Sequence, residues 1–163
     1  MVLSDVILVI GLGSPIMSDD AVGLKVADVI ENMMIPGVET RQEAIGGLDI
    51  IPVLYGYRNA VIVDAIKTGA YPPGTVMIFD PDDFEPTVGD ASAHSINLAT
   101  AMHMGRGLDP ENMPESVRFV AIEVEDIQTV SETMTETVEK AVPEATNAVL
   151  HIIEGFRVRS DRC

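Results

Sequence analysis

The sequence predicts a three-layer α/β/α domain, a mostly parallel β-sheet between helices, with one antiparallel strand. Three observations carry that prediction. Near the start, the apolar run Val6-Ile7-Leu8-Val9-Ile10 passes through Gly11-Leu12-Gly13 into a segment with helical spacing of apolar residues. Strand-like and helix-like segments then alternate, as layered α/β domains require. One connection, after Ala65, is about ten residues long, too short for a parallel crossover.

The first strand is read as Asp5 to Gly11, a run of the kind buried on both faces of a parallel sheet. Ser18 or Asp19 is placed to cap a helix from about Asp20 to Met33, with Val22, Val26, Val29 and Ile30 on one face. Pro36-Gly37 ends it, and Val38 to Ala44 alternates as a second strand. Gly46-Gly47 turns into a short helix, Leu48 to Leu54. The third strand lies within Arg58 to Ala65, with Ala60-Val61-Ile62-Val63 ending at Asp64.

Thr75 to Phe79 follows the short connection and is the strand expected to pair antiparallel. The acidic stretch Asp80 to Pro86 reads as a solvated face. Ser92-Ala93-His94-Ser95 leads into a helix, about Ile96 to Met104, broken by Gly105 and Gly107. Val117 to Val124 is the last strand. Thr129 or Ser131 is placed to cap a terminal helix, Thr129 with Glu132 fitting a capping box. Met134, Val138, Val142, Val149, Ile153 and Phe156 face inward along it, and Pro143 should kink or split it. One domain, residues 1–156, with a frayed polar tail from Arg157 to Cys163, accounts for the 163 residues.

Composition narrows the partners. A net charge of −16 argues against nucleic acid, whose phosphates need Lys and Arg, and against an anionic membrane surface. A cation or a basic surface is the natural ligand. No apolar run approaches a membrane span, and the N-terminus lacks the basic flank of a secretory signal, so the protein is expected in the cytoplasm. Cys163, the lone cysteine, has no partner for a disulfide or a cysteine metal site.

Side chains that do chemistry in open α/β sheets gather at the carboxyl ends of strands. Asp19 and Asp20 after strand one, Asp64 at the tip of strand three and His94 entering a helix are the candidates. Acids where a nucleotide phosphate would sit repel the phosphate and attract a cation. Position 16, where a dinucleotide fingerprint has its third glycine, is Ile16, and only Glu43 offers an acid closing strand two. No Gly-x-Ser-x-Gly elbow supports a serine hydrolase, although Ser14, Ser18 and Ser95 are present. Two carboxylates and an imidazole with open positions suit Ni(II), Zn(II) or Mn(II). Against this, Asp19 reads first as a helix cap, Asp20 as a first-turn acid, Asp64 as a turn residue and His94 as a cap or loop residue. His103 and His151 read as structural or solvent-facing.

These residues carry a resemblance. Gly11-Leu12-Gly13-Ser14-Pro15-Ile16-Met17-Ser18-Asp19-Asp20-Ala21-Val22-Gly23, Gly47-Leu48-Asp49, Val61-Ile62-Val63-Asp64-Ala65 and Ser92-Ala93-His94-Ser95-Ile96-Asn97-Leu98 resemble the hydrogenase maturation endopeptidases in order and spacing, over about Val6 to Ile153. The resemblance implies a twisted five-stranded sheet between helices and a protease that trims the C-terminal extension from the large-subunit precursor of a NiFe hydrogenase after nickel insertion. It further implies that Asp20, Asp64 and His94 contact nickel carried by the substrate, a metal that another divalent ion could replace in isolation. The general look is similar to the branch serving deazaflavin-reducing hydrogenases. Two positions depart from the family pattern: Ser14 stands where Asn is common, and Gln42-Glu43-Ala44-Ile45-Gly46-Gly47 replaces an Asp-Gly-Gly-Thr-x-Gly segment. Either Glu43 substitutes for that Asp, or the chain serves a different large subunit.

On this basis the expected reaction is hydrolysis of one peptide bond by water, with a carboxylate as base. Asp20, Asp64 and His94 act on the metal, and Gly46 and Gly47 permit close approach of the substrate tail. A non-catalytic nickel-binding assembly factor would use the same three residues, and a nucleotide-binding module is a third reading.

Overall fold

The computed structural model describes residues 2–83 and 93–162, without the side chains of Asp82 and of residues 93–97. The acidic stretch from Phe84 onward, Ser92 and Cys163 therefore lie outside the described residues. Five strands form one sheet in the order β2-β1-β3-β5-β4. They are β1 (Ser4–Leu12), β2 (Val38–Glu43), β3 (Tyr57–Ile66), β4 (Val76–Phe79) and β5 (Ser116–Glu123). β1 pairs parallel with β2 and β3, and β3 parallel with β5. β4 pairs antiparallel with β5 from Val76 opposite Ile122 to Phe79 opposite Phe119, as the short connection requires.

The alternation of side chains along each strand divides the core in two. Ile7 and Val9 of β1, with Val61 and Val63 of β3, pack under helices α1 (Val22–Asn32) and α5 (Val142–Ser160). Leu8, Ile10 and Leu12, with Ala60 and Ile62, pack under α2 (Ile50–Leu54) and α3 (Ala93–Leu108). α1 joins β1 to β2 over one face, whereas α2 joins β2 to β3 over the other. The chain thus leaves β1 towards β2 on one side and leaves β3 towards β4 and β5 on the other. The gap between the carboxyl ends of β1 and β3 is the switch point of the sheet, where open α/β folds place ligands.

Several local expectations fail for physical reasons. α1 begins at Val22, because Ser18–Ala21 forms a 3-10 turn and no side chain caps either element. α3 runs through Gly105 and Gly107 without a break. A Cβ on Gly105 would stand 2.8 Å from the Met113 sulfur and 3.3 Å from Ile51, so this glycine serves close packing. The expected capping box at Thr129 is absent: Thr129 N–H and Oγ1 both donate to Asp126, and the next helical turn is α4 (Glu136–Glu139). Pro143 does split the terminal helix, sitting in the first turn of α5, where its missing N–H costs nothing. Residues 157–160 are the last turn of α5 rather than frayed, and Arg157 donates to the Pro36 carbonyl at 2.5 Å.

Candidate functional site

The glycines of the first motif are used for packing. A Cβ on Gly11 would lie 2.3 Å from the Gly23 carbonyl oxygen. One on Gly23 would lie 2.4 Å from the Leu12 oxygen and 2.5 Å from the Val63 oxygen. These two positions let α1 settle directly onto β1 and β3. At Gly13, φ is +148°, and a Cβ would be 1.9 Å from the Asp20 carbonyl oxygen. The backbone of Asp20 fills the space beside the loop. The Ser14 N–H, an amide that could have gripped a phosphate, donates instead to Asp20 Oδ2 at 3.0 Å. Where the nucleotide reading would put an anion, the protein supplies its own.

The 3-10 turn carrying Asp20 packs against β3. Asp64 follows Ala60 and Ile62 in the alternation of β3, so it lies on the α2/α3 face. There it lines a narrow pocket with Ile62, Phe79, Leu98 and Phe119. Burial among these apolar groups pushes the Asp64 carboxyl up to about 8, with the nearby Asp20 charge adding to the rise. The Ala65 backbone N–H opposes it by stabilising the ionised form. The fold therefore favours the protonated form of Asp64 far more than water does. A divalent cation would relieve both causes, because it stabilises the charged carboxylate and cancels the repulsion from Asp20.

Asp19 has a different task. It is fully buried, at 0 % exposure, and accepts from the N–H groups of Glu125, Asp126 and Thr135 at 3.0, 2.9 and 2.7 Å. The Thr135 hydroxyl adds a donor at 2.9 Å. The expected helix-cap role is thus replaced by a clasp on a remote segment. Residue pattern alone could not reveal this, since its partners lie more than a hundred positions away. Buried Glu123 is a second such anchor. It accepts from Thr68 N–H and Oγ1 and from Gly69 N–H, tying down the chain after β3.

The remaining candidates divide. Gly46 and Gly47 follow β2 at the same end of the sheet, and a Cβ on either would meet nothing among the described residues within 4 Å. Gly47 begins a short turn, Gly47–Asp49, that packs against α3. His94 is in the first turn of α3, and its side chain is outside the description; position 94 is one helical turn before Leu98, which lines the Asp64 pocket. The structure therefore joins Asp20 with Asp64 and places Gly46, Gly47 and the start of α3 around the switch point. Among the described residues no three His, Cys, Asp or Glu side chains converge as a metal cage. His103 and His151 are exposed, and no helix among the described residues is long and apolar enough to cross a membrane.

Gln42 and Glu43 close β2 on opposite faces. Glu43 pairs with Leu12, so it shares the α2/α3 face with Asp64; Gln42 pairs with Gly11 and faces α1.

Comparison with known proteins gives the family. Residues 45–152 match the family model described as hydrogenase maturation protease, a span that includes Asp64 and His94 and starts after Asp20. The chain is 26 % identical over 148 residues to the hydrogenase 2 maturation protease of Escherichia coli K12, covering 88 % of each. Among solved structures it is similar to the hydrogenase maturating endopeptidase HybD of E. coli, with a TM-score of 0.76 and 24 % identity over 91 % of this chain and 92 % of that one. It is also similar to the NiFe hydrogenase maturation protease HybD of Thermococcus kodakarensis, with a TM-score of 0.70 and 22 % identity over 90 % and 97 %. The family match spans well over half of the chain, the fold is that of these endopeptidases, and the chain belongs to the hydrogenase maturation protease family of peptide-bond hydrolases.

Proposed function

We propose that the chain removes the C-terminal extension of a NiFe hydrogenase large-subunit precursor and recognises the nickel already inserted in that substrate. The single observation that carries the nickel part is the enclosure of Asp64 beside Asp20, two carboxyls in a setting that disfavours charge on Asp64 until a cation arrives. Such a pair stays quiet towards a metal-free precursor. It gains a second negative charge when a substrate presents a divalent ion and the Asp64 proton leaves.

In this mechanism Asp20 and Asp64 engage the substrate nickel from its open side, with His94 as the third contact. Asp20 is held ready by the Ser14 amide. Anchoring the metal fixes the nearby scissile bond against the protein, so orientation supplies much of the rate. With no described residue over Gly46 and Gly47, the substrate backbone passes close to the end of β2. Water attacks the carbonyl, and a carboxylate of the pair takes its proton.

The test is the intact mass of a cognate large-subunit precursor, with and without nickel, after incubation with the protein. A defined C-terminal loss only from the nickel-loaded form is the expected result. Loss regardless of nickel would keep the protease and remove the metal-reading step. Nickel binding with no loss from a verified cognate precursor would leave an assembly factor instead.

A further inference from the structure

We propose that Asp19 is a positioning residue for this cleavage, acting through its neighbour Asp20. The turn Ser18–Ala21 has no side-chain cap of its own, and Ser18 sits at φ +49°, a conformation uncommon for a residue with a Cβ. What holds the turn is the segment after β5. Ser18 N–H donates to the Ser131 carbonyl at 2.9 Å, Ser131 N–H to the Ile16 carbonyl at 2.9 Å, and Asp19 N–H to the Asp126 carbonyl at 3.0 Å. The buried Asp19 carboxylate closes the clasp on Glu125, Asp126 and Thr135.

Successive side chains in a 3-10 turn point about 120° apart. Locking Asp19 inward onto the segment after β5 therefore dictates where Asp20 points, which is towards β3 and Asp64. The Asp19 carboxylate finds four donors and needs no cation, whereas Asp20 draws, among the described residues, the Ser14 amide alone and keeps acceptor capacity for one. The two adjacent aspartates divide the work: the first aims, the second receives.

Resting on the cleavage proposed above, the test compares wild type with Asp19→Asn, Thr135→Val and Thr135→Ser. A buried-core variant, Val149→Ala, serves as a control for general loss of stability. All are assayed well below their melting temperatures. Asp19→Asn should lower kcat on nickel-loaded precursor by about tenfold to a hundredfold with KM little changed, the size of effect seen when a partner that orients a ligand is removed. Thr135→Val should lower kcat in the same direction, Thr135→Ser should restore it, and Val149→Ala should leave the rate per folded molecule unchanged.

An independent readout needs no substrate. Exchange of the Ser14 amide, which reports the bond to Asp20, should quicken about tenfold in Asp19→Asn relative to that of the β1 amide of Leu8. Unchanged Ser14 protection, or an unchanged kcat despite faster Ser14 exchange, overturns the role of Asp19. Wild type failing to cleave a verified precursor would instead overturn the proposed function, and Ser14 exchange would still decide whether Asp19 holds Asp20.

Discussion

Asp20 raises the proton affinity of Asp64 across the gap between β1 and β3. The two residues come from the ends of adjacent parallel strands, and the change of winding direction between those strands opens the gap. Topology thus creates the space, and glycines at 11 and 23 bring α1 close enough to set Asp20 beside it.

Stability should carry the signature of Asp64. Its carboxyl titrates near 8 in the fold against an ordinary 3.8. A raised carboxyl favours the fold fully below about pH 4 and loses that contribution as pH rises to about 8, because the unfolded chain ionises first. Relative to Asp64→Asn, wild type should lose up to about 1.4 kcal/mol per pH unit across that window. Urea unfolding of both proteins at pH 5, 6, 7 and 8 measures it. A difference that does not change with pH would remove the raised Asp64 carboxyl from the account.

The same substitution should act oppositely on function. Asp64→Asn and Asp20→Asn each remove one proposed contact to the substrate nickel. Each should slow cleavage of nickel-loaded precursor by at least about a hundredfold, since even groups that merely orient ligands cost 10–100-fold. His94→Ala should match them. Single-turnover cleavage followed by intact mass is the measurement, and full activity in any of the three would strike that residue from the site.

Glycine positions separate packing from access. Gly23→Ala would drive a methyl against the Leu12 and Val63 carbonyl oxygens at 2.4 and 2.5 Å, backbone on both sides that cannot swing away. A loss of about 3 kcal/mol or more is expected. Gly46 stands at φ −152° with no described residue within 4 Å of where its Cβ would lie, so Gly46→Ala should change stability by no more than about 0.5 kcal/mol. If substrate backbone passes there, the same methyl raises KM. Denaturation and KM measurements on the two variants test both halves.

The strands and the strand-end acids were legible in the sequence because short apolar runs and their terminal residues are local features. Asp64 stood out as the acid closing Val61-Ile62-Val63, and the ten-residue link announced the antiparallel β4. What was not legible depends on distant partners. Gly105 looked like a helix breaker because Met113, whose sulfur fills the place of its Cβ, belongs to the next loop. Asp19 looked like a cap, and Thr129 like the start of a helix, because the bonds between Asp19 and residues 125–135 cross most of the chain. Local pattern matching supplies caps wherever a polar residue precedes apolar periodicity; tertiary hydrogen bonds decide which are used.

Glu43 offers the sharpest test of how this chain departs from the family pattern. By the resemblance in the sequence, the family's usual Asp falls at Gln42, yet Gln42 is exposed on the α1 face, away from Asp64. Glu43 is half-buried, beside Leu12 on the face that carries Asp64, and its carbonyl takes the Gly13 N–H at 3.2 Å. A carboxylate there can meet the substrate where it passes from Gly46-Gly47 towards the Asp20–Asp64 pair. Glu43→Gln should therefore lower kcat/KM for the cognate precursor by about tenfold, a size consistent with loss of one charged hydrogen bond of about 1.5 kcal/mol. Gln42→Ala, which removes a side chain from the opposite face, should stay within about twofold of wild type. If Gln42→Ala proved the damaging change and Glu43→Gln the silent one, the substrate would have to approach from the α1 face, and the path over Gly46 and Gly47 would be wrong.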